Sequence, residues 1–317
     1  MMKVKERSFF HFCQHLGIGL DQIEGQMATL KKLIQLEFKS SKNGIISIEG
    51  LDYDHSFVAE ELLKEDILTN FRQEDMIFKI AWLNDFINYG KFDFNHALFS
   101  NSNITFDLTR SLPKMYDTEE FLDYISPKMA KSFNVLSGDL LKNNRFRELI
   151  ILFDHLKFIQ KEDYNIAFRY INIIFGEYLS VLKDLNKNNY KSNAAEINRW
   201  LLPGAIDFIN CLPLRFYNFK FDFVSSFYDL INEIWLSDKK NAFKFSSLII
   251  RVEGISVNYW NQVLSTHVML ERDLLRLEES MKDIKKEDVN IVGFMFKVYL
   301  ALVLFLLIIC FIRVLLI

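Results

Sequence analysis

His11 and His15 stand four residues apart in "FFHFCQH", with Cys13 between them. On a helix that spacing puts two imidazoles on one face, which is how a pair of histidines begins to bind a transition metal. No Glu follows in the HExxH pattern, and two ligands do not complete a metal site. The densest polar cluster is "EGLDYDH", where Glu49, Asp52, Asp54 and His55 bring three carboxylates and an imidazole together. Such a set has the chemistry to hold Mg²⁺ or to exchange protons. It is also what an Asp-rich turn looks like when it caps the helix that follows, and the capping role accounts for it without a reaction. In "NNRFREL", Arg145 and Arg147 lie near His155, but not at the RxxxxH spacing of a nuclease helix. No GxxxxGK[ST], GxGxxG or GxSxG occurs. The sequence therefore assigns no catalytic residue, metal or cofactor, and a non-enzymatic role is expected. An enzyme using Glu49 to His55 is the outlying alternative.

The elements that would position these residues read as helices. Only 11 Gly and 4 Pro interrupt 317 residues, too few turn formers for a fold of many short strands. The expected class is all-α, an irregular helical bundle or solenoid-like array. Net charge is −3, so nothing attracts a polyanion globally, and nucleic acid is not an expected partner. Cys13, Cys211 and Cys310 are far apart and odd in number, as in a reduced cytosolic protein.

Leu16, Leu20, Ile23, Met27, Leu30, Ile34 and Phe38 recur every three or four residues and predict one amphipathic helix, weakened by Gly17, Gly19 and Gly25. "SSKNG" should end it, with "IISIEG" a short strand or an extended connector. Helical pattern resumes near Ser56 and runs to Tyr89, with "NFRQED" at 70–75 as the expected break. Residues 91–113 are rich in Asn, Ser and Asp and read as a linker between a 1–90 helical region and a 114–254 helical domain. Within the latter, helices are expected at 118–135, 138–160 and 162–186, followed by shorter ones to residue 252. Residues 143–179, "NNRFRELIILFDHLKFIQKEDYNIAFRYINIIFGEYL", loosely resemble one tetratricopeptide-like hairpin. The small-residue and glycine positions of that repeat are mostly absent and no second copy recurs, so the segment is read simply as a helical hairpin.

The most regular pattern comes next. Trp260, Val263, His267, Leu270, Leu274, Leu277, Met281 and Ile284 alternate spacings of three and four without a slip, a coiled-coil seam over 255–288. It predicts either self-association or packing on the chain's own body. His267 within the seam is a candidate pH sensor, though a hydrogen-bonded core histidine is the simpler reading.

Residues 289–317 close the chain. From Val298 to Ile312 fifteen residues carry no charge, and twelve are Leu, Ile, Val or Phe, including Phe305. At roughly −0.4 kcal/mol each, those twelve favour membrane entry by about 5 kcal/mol. Lys297 and Arg313 can extend their charged heads outward, and Tyr299 lies within the anchor. Lys282, Lys285, Lys286 and Lys297 precede the run and only Arg313 follows, so the body is expected on the cytoplasmic side. The first three, and the pair Lys239 and Lys240, are candidates for contact with anionic lipid. The expected protein is thus single-pass and tail-anchored. Its partners would be the lipid bilayer, an unidentified protein and a second copy of itself. A membrane-perturbing effector, such as an abortive-infection protein of bacterial antiviral defence, is the alternative.

Overall fold

The computed structural model describes residues 7–25, 27–48, 50–94, 118–279 and Tyr299. They are mostly helical and form two compact units. One holds the described residues up to Ser180 together with Arg199–Cys211; the other holds Val181–Asn198 and the described residues from Leu212 on.

The first unit opens with α1 (Phe9–His15), α2 (Leu20–Gly25) and α3 (Met27–Ser40). A single helix over 16–38 is not what forms. Gly17 adopts φ +70°, and the Ile18 amide turns back to the Cys13 carbonyl at 2.8 Å, closing α1 instead of continuing it. The apolar stripe nonetheless points inward: Ile23, Leu30, Ile34 and Phe38 are buried. "IISIEG" becomes a strand, β1 (Ile45–Ile48), paired antiparallel with β2 (Leu51–Asp54), Ile45 opposite Asp54 and Ile48 opposite Leu51. Gly50 in the connecting turn sits at φ +84°, which a two-residue hairpin loop requires. Phe12 stacks on Phe38 with ring centroids 5.6 Å apart, and Tyr53 closes the same core.

After β2 come α4 (His55–Leu62), α5 (Ile67–Lys79) and α6 (Ala81–Tyr89). The break expected at 70–75 does not occur. Ile67, Phe71 and Ile77 lie on one buried face of α5, and Glu74 occupies the same face, so the polar run "NFRQED" is helical with its charge turned inward. Helix α7 (Thr118–Lys142) then runs through Pro127 and past the predicted break at 136–137. It ends where Asn144 takes φ 56°, with the Asn144 amide bonded to Leu141 and the Arg145 amide to Leu140, a Schellman closure. Beyond it lie α8 (Phe146–Phe153), α9 (Tyr164–Ala167), α10 (Arg169–Lys183), α11 (Ala194–Trp200) and α12 (Ala205–Cys211).

Gly138 is a contact point and not a helix stop. A Cβ there would lie 2.1 Å from Cδ1 of Tyr170, whose amide is bound by Asn134 Oδ1 and whose hydroxyl accepts from Lys142. The ring is tied at both ends and cannot swing away freely. Gly138→Ala is expected to destabilise the first unit by about 1–3 kcal/mol, the usual cost of overpacking. Tyr170→Ala in the same chain should recover most of the loss in a urea melt; no recovery would place the strain elsewhere.

The second unit contains α13 (Tyr217–Ile234), α14 (Lys239–Ile249) and a helix over residues 257–279, here α15. Asp238 caps α14 by accepting from the Asn241 amide, and the Tyr190 hydroxyl donates to the same carboxylate at 2.7 Å. Among the described residues, no helix is long and apolar enough to cross a membrane. Apart from Tyr299, the run 298–312 lies outside them, as do Lys297 and Arg313.

Candidate functional site

Two regions bear on function: the face of α15 and a cleft beside α1.

Along α15 the predicted seam divides. Val263 and Leu270 are fully buried, Trp260 donates its indole N–H to the Ile250 carbonyl, and Tyr259 packs on Phe221 and Tyr228. His267 lies flat on Phe243, ring centroids 5.0 Å apart, with Nδ1 2.9 Å from the Ser246 hydroxyl. A hydroxyl carries one proton, and with that proton given to the Phe243 carbonyl, Ser246 accepts the Nδ1–H of His267. This half of the stripe is covered by the chain's own α13 and α14. Asp273 likewise pairs internally with Lys239 at 2.9 Å, which holds its carboxyl below the usual range. Leu274 is only half-buried, Leu275 and Leu277 are exposed, and Met281 and Ile284 lie outside the described residues.

The cleft is built from α1, α5, α6 and the hairpin. A cavity of about 280 Å³ is lined by Ser8, Phe10, His11, Gln14, His15, Ile48, Leu51, Glu74, Phe78, Asn84, Asn88 and Tyr89. His11 and His15 thus do share one cavity, and Glu74 joins them there. Among the described residues no group of three His, Cys, Asp or Glu side chains is placed to hold a metal. Two of the candidates are held by their surroundings. His11 Nδ1 lies 3.4 Å from the Tyr53 hydroxyl, and Cys13 is fully buried, which raises its thiol pKa and keeps it protonated.

The chain matches no known protein family, curated protein or solved structure.

Glu74 is almost entirely buried, and its Oε1 accepts both from Lys128 Nζ and from the Tyr124 hydroxyl at 2.8 Å. Burial and the adjacent Glu74 charge push the Tyr124 hydroxyl pKa up. A second cavity of about 220 Å³ continues past Glu74 between Arg7, Lys64, Asn70, Tyr124 and Lys128. Nothing in the local sequence signals this cluster, because Glu74 and Lys128 are 54 residues apart.

The described residues of "EGLDYDH" do not form one group. Asp54 caps α4 by accepting from the Phe57 amide at 2.8 Å and from Ser56 Oγ. Those hydrogen bonds, that of Ser56 first, lower its pKa. Asp52 is held by Ser47 across the hairpin, and His55 packs edge-on against Phe38. Glu49 lies outside the described residues. Arg145 and His155 have different partners. The guanidinium pairs with Glu148 at 2.8 Å, and His155 sits among Trp82, Phe92 and Phe158.

Proposed function

We infer that this chain is a single-pass, membrane-anchored helical adaptor or sensor whose body faces the cytoplasm, with α15 coupling that body to the anchor. The observation that carries this is the uncharged run from Val298 to Ile312, whose transfer energy favours the bilayer by about 5 kcal/mol. Support also comes from the way α15 is held. It is fastened to α14 by the His267–Ser246 contact and the Lys239–Asp273 pair and to α13 by Tyr259 on Phe221 and Tyr228, a hold through which displacement of an anchor would reach the second unit. The body would then present its helical surfaces to a protein partner near lipid.

A second reading is favoured by one observation. Leu277 remains exposed toward the end of α15 described, continuing the seam toward the apolar run. Copies clustered through that stripe would bring their anchors together, as a membrane-perturbing effector of antiviral defence requires.

Replacing residues 289–317 with an unrelated transmembrane segment of equal length separates the two. An adaptor keeps its cellular phenotype with the foreign anchor, and its expression leaves membrane potential intact. Loss of the phenotype on exchange, with collapse of the potential on induction of the original chain, would replace the adaptor by the effector.

A further inference from the structure

The cavity beside α1 has a chemistry that neither anchoring nor partner recruitment explains. At about 280 Å³ it lies near the lower limit of small-molecule cavities, roughly 300 Å³. That is room for one ring system with a substituent and too little for a folded peptide segment. A fatty acyl chain is a poor occupant, because it would strip water from Glu74, Gln14, Asn84 and Asn88 and return no hydrogen bond. A free anion is disfavoured as well. Of the cations around the adjoining cavity, Arg7 already pairs with Asp54 at 3.5 Å, Lys64 with Glu61 and Lys128 with Glu74.

What the walls do offer is aromatic surface beside paired amides. Phe10 and Phe78 both line the cavity, their rings tilted by 58° with centroids 6.0 Å apart; Phe10 is buried, and the face open to a ligand is that of Phe78, which is 48% exposed although it is a large apolar side chain. One turn apart on α6, Asn88 donates its Nδ2–H to Asn84 Oδ1 at 2.8 Å. Among the described residues this is the only hydrogen bond of either side chain, so the pair keeps an amide donor on Asn84 and a carbonyl acceptor on Asn88. Exchanging O and N in both amides swaps the two roles and leaves one donor and one acceptor still side by side. Glu74, with both its bonds on Oε1, adds Oε2 as a further acceptor. Adjacent donor and acceptor groups beside an aromatic face match the edge and plane of a nucleobase, which proteins read through Asn side chains and ring stacking.

We propose that this cavity binds a neutral nitrogen heterocycle of nucleobase type, held by Asn84 and Asn88 at its edge and by the Phe78 ring at one face. The site is independent of the anchor and of any protein partner. It gives the body a small-molecule input.

The test uses the full chain in detergent micelles. Adenosine, guanosine, cytidine and uridine, each with its 5′-monophosphate, are titrated to about 1 mM with saturation-transfer NMR as the readout. At least one nucleoside is expected to bind, with its monophosphate no tighter. Asn84→Leu with Asn88→Leu should weaken that binding at least about tenfold, since the two hydrogen bonds to the edge of the base are lost. Phe78→Ala, at a half-exposed position that folding tolerates, should weaken it too and serves alone if the double variant melts early. Leu36→Ala, also exposed but outside the cavity lining, should change nothing. Absence of binding by all four nucleosides would overturn the assignment. So would binding by monophosphates only, or binding equal in the parent and in Phe78→Ala.

Discussion

Leu304→Asp combined with Ile308→Asp is expected to move the protein from the membrane fraction to the soluble one. After carbonate extraction and centrifugation the parent chain is expected in the pellet and the doubly acidic chain in the supernatant. The magnitudes decide the outcome. Twelve apolar residues between Val298 and Ile312 favour insertion by about 5 kcal/mol. Each acidic residue near the centre of the span opposes it by about 3 kcal/mol, and the two replaced residues withdraw nearly 1 kcal/mol of the favourable part. The sum turns from favourable to unfavourable. Spaced four residues apart, the two carboxylates repel and cannot neutralise each other. Leu304→Ala with Ile308→Ala, which adds no charge, should stay in the pellet. A doubly acidic chain that sediments like its parent would remove the anchor, and with it the reason for placing the body at lipid.

Periodicity was a good guide where burial is continuous along one helix. Ile23, Leu30, Ile34 and Phe38 are inside as their spacing requires, and Val263 and Leu270 are fully covered. It misled where one residue has a role that its neighbours in sequence do not share. Helices expected at 118–135 and 138–160 leave a break that α7 runs straight through, and the hydrogen atom of Gly138 is what Tyr170 needs in order to approach α7. The acidic and polar letters of "NFRQED" suggest a surface loop, and the inward turn of Glu74 becomes intelligible only once Lys128 and Tyr124 arrive from α7 to satisfy it. The candidate cavity was half legible. The spacing of His11 and His15 placed two of its walls on one helix, but Asn84, Asn88 and Phe78 come from helices whose approach no local pattern encodes. The seam on α15 shows the same limit from the other side. An unbroken heptad pattern states that a stripe will be covered, and α13 and α14 supply that cover for residues 260–270.

His155→Leu is expected to flatten the acid sensitivity of the first unit. His155 is 7% exposed, its ring enclosed by Trp82, Phe92 and Phe158, with centroids 6.0, 4.9 and 5.9 Å away. Its Nδ1–H donates to the Ile151 carbonyl at 3.2 Å, so the imidazole is satisfied as a neutral ring. Burial, aided by the positive charge of Lys157 and opposed by the Ile151 bond, brings its pKa down from 6.5 to about 4. In the unfolded chain the ring takes up its proton near pH 6.5, whereas in the folded chain it does so only near pH 4. Between those values the unfolded state binds more protons, so stability is complete above pH 6.5 and falls as the pH drops toward 4. The total attributable to this one ring is about 3 kcal/mol, since each tenfold loss of proton affinity on folding corresponds to roughly 1.4 kcal/mol. Carboxylates add their own acid dependence, and the variant isolates the histidine because they are common to both proteins. At about pH 7 the leucine chain should be slightly less stable, having lost the bond to Ile151. By about pH 4.5 it should be the more stable of the two, in urea unfolding of the full chain in mild detergent. Parallel stability curves for parent and variant across that acid range would show that water reaches the ring, and that the aromatic enclosure does not exclude the charged form.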